Sequence, residues 1–381
     1  MGKSYHKPRV LQVLPALVSG GVERGTIDIA QFLTDSSYPS FVASSGGPLV
    51  QDVENAGATH FELPLKDKNP ITIIGNAFRL ARIIRKNKIN IIHARSRVPA
   101  WSAYLASRIT GCKLLTTFHG TYSLNIIKKF YNAVMTKGRF VIAVSDFIAI
   151  HIEEIYGIKK NKIRTIYRGV DLKEFNVKNV DNIRLIEIKK KCYIPDGKFI
   201  IALPGRLTTW KGHEILLQAV AKLNNENICC LLVGDTKQHK RTFQKFIKLA
   251  QSLGISDKVT FTGALRDMPA LYMLSDLIVA PSTRPEAFGR ISIEAQAMKR
   301  LIIATDIGGY KETIIDKKTG FLISPNDVDA LAEKIKIAMD LTDTKKTSIG
   351  NAARKNIEKN FSLEQMKEKT LKIYCELASK N

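Results

Sequence analysis

The chain has 381 residues, 45% of them hydrophobic, with 59 Lys and Arg against 35 Asp and Glu and a formal net charge of +24. That is enough chain for two α/β domains with separate cores, and no apolar run reaches the roughly 18 to 20 residues of a membrane span, which excludes an integral membrane protein. The five cysteines, at 112, 192, 229, 230 and 375, form no Cys-x-x-Cys pair, so neither a structural disulfide nor a zinc site is expected, and a reducing cytoplasm is.

Lys3, Lys7 and Arg9 precede an apolar run from Val10 to Val18, which superficially resembles a short signal peptide. Pro15 interrupts the run and Gly20-Gly21 opens a helical pattern, so it reads as a first strand followed by its phosphate-side loop. Met1-Gly2 makes no myristoylation signal, because His6 stands where Ser or Thr is wanted. In the first half, strands are predicted at 10–14, 41–43, 89–92, 114–118 and 140–144, alternating with helical stretches such as 25–32 and 73–86. Strand and helix in alternation mean a parallel, doubly wound sheet. The second half repeats the arrangement, with strands at 200–203, 228–233, 259–262, 277–280 and 301–305. The expected division is a first domain over 1–170, a charged linker with a short helix over 171–197, a second domain over 198–361, and a C-terminal amphipathic helix over 362–381.

Two constellations in the second half carry chemistry. The strand that ends at Gly205 leads through Arg206 and a polar loop to Lys211-Gly212 and a helix over 213–223. Arg206 and Lys211 thus stand at the carboxyl end of a parallel strand, where open α/β sheets place ligands, and a planar fork with a compact cation could clamp two phosphates. Solvated surface cations are the alternative. Farther on, the run from Pro281 to Met298 sets Glu286 and Glu294 eight residues apart across a strand-to-helix turn. With the helix starting near Gly289, a positive dipole end points at the space Glu286 occupies, which suits a ligand bearing hydroxyls and phosphate. A helix-entry acid and a surface glutamate are the plainer reading. Asp327-Val328-Asp329 reads as a helix N-terminus, so no metal ligand is assigned.

Gly205-Arg206-Leu207 with Lys211-Gly212, the two glutamates around Pro285-Glu286-Ala287-Phe288-Gly289-Arg290, and Gly308-Gly309 with Glu312 and Thr319-Gly320 resemble the donor half of the retaining glycosyltransferases of family 4, which have the GT-B fold. The resemblance continues into the first half through Gly20-Gly21-Val22-Glu23 and Thr117-Phe118-His119-Gly120, and spans nearly the whole chain. It implies two Rossmann-like domains facing across a cleft, a C-terminal helix crossing back to the first, and a nucleotide-diphosphate sugar as substrate with no cofactor. By resemblance, Glu286 binds the sugar hydroxyls with backbone help from Phe288 and Gly289, next to Ala287. Glu294 binds the ribose, and Arg206 and Lys211 bind the diphosphate beside Gly205. His119 lies near the transferred sugar, Gly20 and Gly21 approach the donor phosphates or the acceptor, and the stretch with Arg266 and Met268 lines the base pocket. Retention in this family is thought to proceed by same-face attack, with a donor phosphate oxygen helping to remove the acceptor proton, so no protein nucleophile is assigned. Arg290 departs from the small or aliphatic residue frequent at its place and could touch phosphate or an acidic sugar.

The acceptor is addressed by charge. Between Asp67 and Asp146 there is no carboxylate, yet the segment holds cations from Lys68 to Arg139, and such a surface is drawn to anions. Leu124, Ile127, Phe130, Tyr131 and Val134 fall near helical spacing beside Lys128 and Lys129, the pattern of an interfacial helix or of a core stripe. The expectation is a cytoplasmic enzyme in peripheral contact with an anionic bacterial inner membrane, serving a lipid-linked or lipopolysaccharide-precursor acceptor. The alternatives are another GT-B enzyme, such as a nucleotide-sugar epimerase, or a basic nucleic-acid-binding protein, for which no specific motif is present.

Overall fold

The computed structural model describes residues 7–18, 20–122, 125–237 and 239–379. The readings on Met1-Gly2, Lys3, His6 and Leu124 lie outside the described residues. The chain divides into two compact units, Met1–Tyr167 with Glu364–Asn381, and Arg168–Leu363.

In the first unit seven strands, β1 (Val10–Val13), β2 (Ser40–Ser44), β3 (Thr59–Glu62), β4 (Ile91–Ala94), β5 (Lys113–Phe118), β6 (Phe140–Ala143) and β7 (Ile163–Thr165), form one parallel sheet ordered β3-β2-β1-β4-β5-β6-β7. The inner strands are buried along almost their whole length, polar residues such as Gln12 and His93 included, because both faces are covered. The covering helices are α1 (Gly21–Asp35), α2 (Val50–Asn55), α3 (Pro70–Lys86), α4 (Arg97–Thr110), α5 (Ile126–Asn132) and α6 (Asp146–Tyr156).

The second unit holds helix α7 (Asn182–Lys191) and six strands, β8 (Phe199–Pro204), β9 (Ile228–Val233), β10 (Val259–Gly263), β11 (Leu277–Ala280), β12 (Leu301–Thr305) and β13 (Phe321–Ile323), parallel in the order β10-β9-β8-β11-β12-β13. Its other helices are α8 (His213–Leu223), α9 (Lys240–Ser252), α10 (Met268–Leu274), α11 (Arg290–Ala297), α12 (Tyr310–Thr313), α13 (Val328–Asp340) and α14 (Asp343–Asn360). Strand order reverses between β8 and β11, so the loops after these two strands flank the point where such sheets bind ligands. The Asp276 carboxylate accepts from the Ile200 N–H at 2.8 Å and ties the starts of β8 and β11 together.

The last helix, α15 (Leu363–Ser379), returns to the first unit, as the family resemblance implied. Its buried Tyr374 hydroxyl bonds His93 Nδ1 at 2.7 Å, and His93 Nε2 bonds the Thr117 hydroxyl at 2.7 Å. Each polar group that this helix buries against β4 and β5 is therefore paired.

Three features differ from the sequence reading. Residues 171–197 are part of the second unit rather than a linker: Phe175, Ile188, Cys192 and Ile194 are buried, and α7 packs on α10. Strands β3, β7 and β13 were absent from the expected set; all three are sheet edges, β3 and β7 half-exposed with polar residues among the apolar ones and β13 only three residues long, so none shows an extended apolar run. The proposed interfacial stripe is broken, because Val134 sits buried in a separate short turn while Ile126, Ile127 and Phe130 of α5 stand exposed.

Candidate active site

β8 ends at Pro204, and the Gly205 N–H continues the ladder to the Val233 carbonyl at 2.8 Å. A single helical turn over Thr209–Lys211 then delivers the chain to Gly212, which caps α8 in the left-handed region at φ +78°. Only glycine fits there, because a Cβ would strike the Pro281 carbonyl. The loops after β8 and β11 are stitched at this contact, with the Thr283 N–H donating to the Trp210 carbonyl at 2.8 Å.

That stitching sets Lys211 against Glu286. The ammonium pairs with Glu286 Oε1 and lies 4.8 Å from the centroid of the Trp210 ring, while Ser282 Oγ donates to the same carboxylate oxygen at 3.2 Å. The two charged side chains are only 12% and 14% exposed. Glu286 is held through its backbone as well: it bridges to Gly308, and its carbonyl accepts from the Gly309 N–H at 2.9 Å. The sugar-facing candidate is thus fixed by three loops at once, those after β8, β11 and β12.

Gly289 turns the chain into α11 at φ +84° and caps the helix without a side-chain bond, which leaves the first amides of α11 uncapped by any side chain. A Cβ here would run into the ring of Tyr310. Glu294, one turn beyond Arg290, is not the surface residue of the plainer reading but is buried. Its Oε1 lies 3.0 Å from Arg290 Nη2, and its Oε2 accepts from the Tyr272 hydroxyl at 2.9 Å. The buried Tyr310 phenol feels the charge of both carboxylates: burial first and then Glu286 hold it far above the ordinary range, and Glu294 adds to the effect. Burial and then Glu294 do the same to Tyr272. Both tyrosines therefore stay protonated and neutral beside two carboxylates.

The structure brings Gly205, Lys211, Glu286, Gly289, Arg290 and Glu294 to the switch point of one sheet. Ile291 of α11 lies 3.9 Å from where a Gly205 Cβ would stand, so the first turn of α11 abuts the end of β8. Arg206 follows Gly205 and is exposed; Ala287 is half-buried and Phe288 buried, its ring edge-on to Phe361 at 5.8 Å. Arg266 and Met268 follow β10, two strands from the switch, Arg266 exposed and Met268 half-buried at the start of α10. Between them Asp267 caps α10 through the Ala270 N–H at 3.0 Å and takes a bidentate grip from Arg184 at 2.6 and 2.7 Å, which holds its carboxyl below the usual range. Gly20, Gly21 and His119 belong to the first unit. Gly20 caps α1, Gly21 is its first residue, and His119 follows β5 half-buried, all at the carboxyl edge of that sheet.

Sequence reasoning passed over Ser282, Tyr272, Tyr310 and His213. Tyr310 directly follows the Gly308-Gly309 pair, which was a usable signal. His213 is completely buried, stacks on Phe246 at 4.9 Å, and is pushed down to about 4 by burial, with the Lys211 charge adding to the shift. Asp327 caps α13 through the Ala330 N–H at 2.8 Å and Asp329 pairs with Lys222, which is the helix-terminus role expected of that string.

Two parallel Rossmann-like sheets, of seven and six strands, are the architecture of GT-B glycosyltransferases. Residues 19–174 match the model of Glycosyltransferase Family 4, and residues 186–356 that of Glycosyl transferases group 1. A glycosyltransferase structure from Rickettsia africae ESF-5 is 43% identical and superposes with a TM-score of 0.91 over 98% of this chain and 99% of its own. The chain belongs to this glycosyltransferase family and is an enzyme of that class. N-acetyl-alpha-D-glucosaminyl L-malate synthase of Bacillus anthracis is 28% identical over 79% of this chain and 78% of its own length. The fold is also that of Anabaena Alr3699/HepE, at a TM-score of 0.83 for its complex with UDP-glucose and 0.84 for its complex with UDP and glucose, 22% identity, and coverage of 97% of this chain and 99% of that one in both.

Proposed function

We propose that the enzyme transfers a sugar, with retention at the anomeric carbon and without a metal ion, from a nucleotide-diphosphate sugar to a lipid-linked or other cell-envelope glycan acceptor. The observation that carries the donor half is the Lys211–Glu286 pair beside the uncapped start of α11. A carboxylate that accepts from sugar hydroxyls and a cation that meets phosphate are adjacent there, as the junction of sugar and diphosphate requires. The UDP-glucose in the Anabaena structure supports a nucleotide-sugar donor. Negative charge grows on the departing diphosphate, where Lys211, Arg206 and the α11 amides stabilise it without a metal. Glu294 takes the ribose hydroxyls, exchanging its bond to Arg290 for them. The finer acceptor reading, lipopolysaccharide-type chemistry at a cytoplasmic membrane face, draws on the carboxylate-free segment between Asp67 and Asp146.

The test is an assay of nucleoside diphosphate release with labelled nucleotide sugars and envelope-lipid extract. Label moving to the lipid fraction, with the anomeric configuration kept, supports the reading. Consumption of donor to an isomeric nucleotide sugar without transfer replaces it with the epimerase, and no turnover of any nucleotide sugar removes it.

A further inference from the structure

The outward stripe of α3 is apolar over its first two turns and cationic over its last two. Ile71, Ile74 and Phe78, spaced three and four apart on one face, are 80%, 51% and 63% exposed, and Arg82 and Arg85 continue the same stripe exposed to solvent. Isolated surface leucines or isoleucines need no explanation, but a row of three large apolar side chains on one helix face does. On α5, Ile126, Ile127 and Phe130 are 74 to 79% exposed with Lys128 and Lys129 between them. Neither helix contains a carboxylate.

The two helices are fastened to adjacent residues of α4. Ser102 Oγ donates to the Ile73 carbonyl of α3 at 2.9 Å, and the Trp101 indole N–H donates to the Tyr131 carbonyl of α5 at 3.1 Å. The half-buried Trp101 and Tyr131 rings sit 6.0 Å apart, an amphipathic aromatic pair of the kind enriched at lipid headgroups.

From this arrangement we infer that α3 and α5 together form a membrane-docking face whose occupant is a bilayer rich in anionic phospholipid. The six apolar side chains enter the headgroup–acyl boundary while Arg82, Arg85, Lys128 and Lys129 meet lipid phosphates. Charge complementarity selects this occupant, because the face supplies cations and apolar surface with no acid on either helix to oppose a negative surface. The inference rests on the lipid-linked acceptor proposed above and assigns the surface that would bring the enzyme to it.

Co-sedimentation of the full chain with vesicles of phosphatidylcholine alone, and of phosphatidylcholine mixed with phosphatidylglycerol, tests it. The wild type should pellet with the anionic vesicles and not the neutral ones, and salt should weaken the binding. The exposed-site variants Ile71→Ser/Phe78→Ser on α3 and Ile127→Ser/Phe130→Ser on α5 should each lower partitioning by about tenfold or more, with the calorimetric heat of nucleoside diphosphate binding unchanged. Equal binding of the wild type to both vesicle types overturns the proposal. An α3 variant that pellets as the wild type does removes α3 from the face and overturns the two-helix assignment. Either failure with nucleotide binding and sugar transfer intact leaves the glycosyltransferase reading standing, whereas loss of nucleotide binding in the wild type counts against that reading and not against the surface.

Discussion

Replacing Lys211 with Met should unbalance the site in a way that separates stability from catalysis. The pair it belongs to is 12% and 14% exposed, so removal strands the Glu286 carboxylate with Ser282 Oγ at 3.2 Å as its remaining side-chain donor among the bonds described above. Breaking a fully buried ion pair costs about 3–5 kcal/mol; with this much solvent access, roughly 2–3 kcal/mol is expected. For a unit of this size that corresponds to a fall of roughly 5–10 °C in melting temperature. Glu286→Gln keeps the shape but leaves the ammonium over the Trp210 ring, and should cost roughly 1–2 kcal/mol. In the double variant neither charge is stranded, so its loss should fall short of the sum of the singles by about 1 kcal/mol or more. Turnover behaves differently: each single and the double should lose about a hundredfold or more, because the groups act together on the departing diphosphate and the sugar. The assays are urea unfolding of the four proteins and release of nucleoside diphosphate from the donor. Stability losses that simply add, or near-normal turnover in either single variant, refute the reasoning.

Other substitutions probe the surroundings of the pair. Gly289→Ala should destabilise the second unit by about 2 kcal/mol or more, since it strains a φ of +84° and drives a methyl into the Tyr310 ring; thermal unfolding reads this directly. His213 has a folded-state pKa near 4 against an ordinary 6.5, so the unfolded chain binds the proton first as pH falls. Its contribution is complete above about pH 6.5 and lost on acidification toward pH 4, roughly 3 kcal/mol in all, and His213→Phe should flatten that part of the stability–pH curve measured by urea titration. Arg290→Ala breaks a pair whose arginine is 42% exposed, so stability should change by less than about 1 kcal/mol while the KM for donor shifts at unchanged kcat.

The sheets and the site were legible in the sequence to different depths. Strands β8, β9, β11 and β12 were readable as apolar runs with Gly, Pro or Asp beside them and β10 as a Val-Thr-Phe-Thr alternation, and the helix over 213–223 matched to the residue. The edge strands β3, β7 and β13 escaped, since partners rather than composition make three or four residues a strand. Glu286 and Lys211 were found as separate candidates, but their pairing depends on the Gly212–Pro281 contact, 69 positions apart along the chain (281 − 212), which no local pattern encodes. Tyr310 and Tyr272 were passed over for the same reason: a buried tyrosine looks like core until the carboxylates beside it are placed. Residues 171–197 look like a linker because α7 is highly charged on its open side; only Ile188 and the apolar residues flanking the helix reveal that it packs.

The most direct test of the donor assignment is a crystal structure with a nucleotide-diphosphate sugar bound. The diphosphate is expected at Lys211 and the start of α11, a sugar hydroxyl on Glu286, and the ribose on Glu294 with its contact to Arg290 released. A nucleotide seated away from these residues, with the Lys211–Glu286 and Arg290–Glu294 pairs undisturbed, would contradict it.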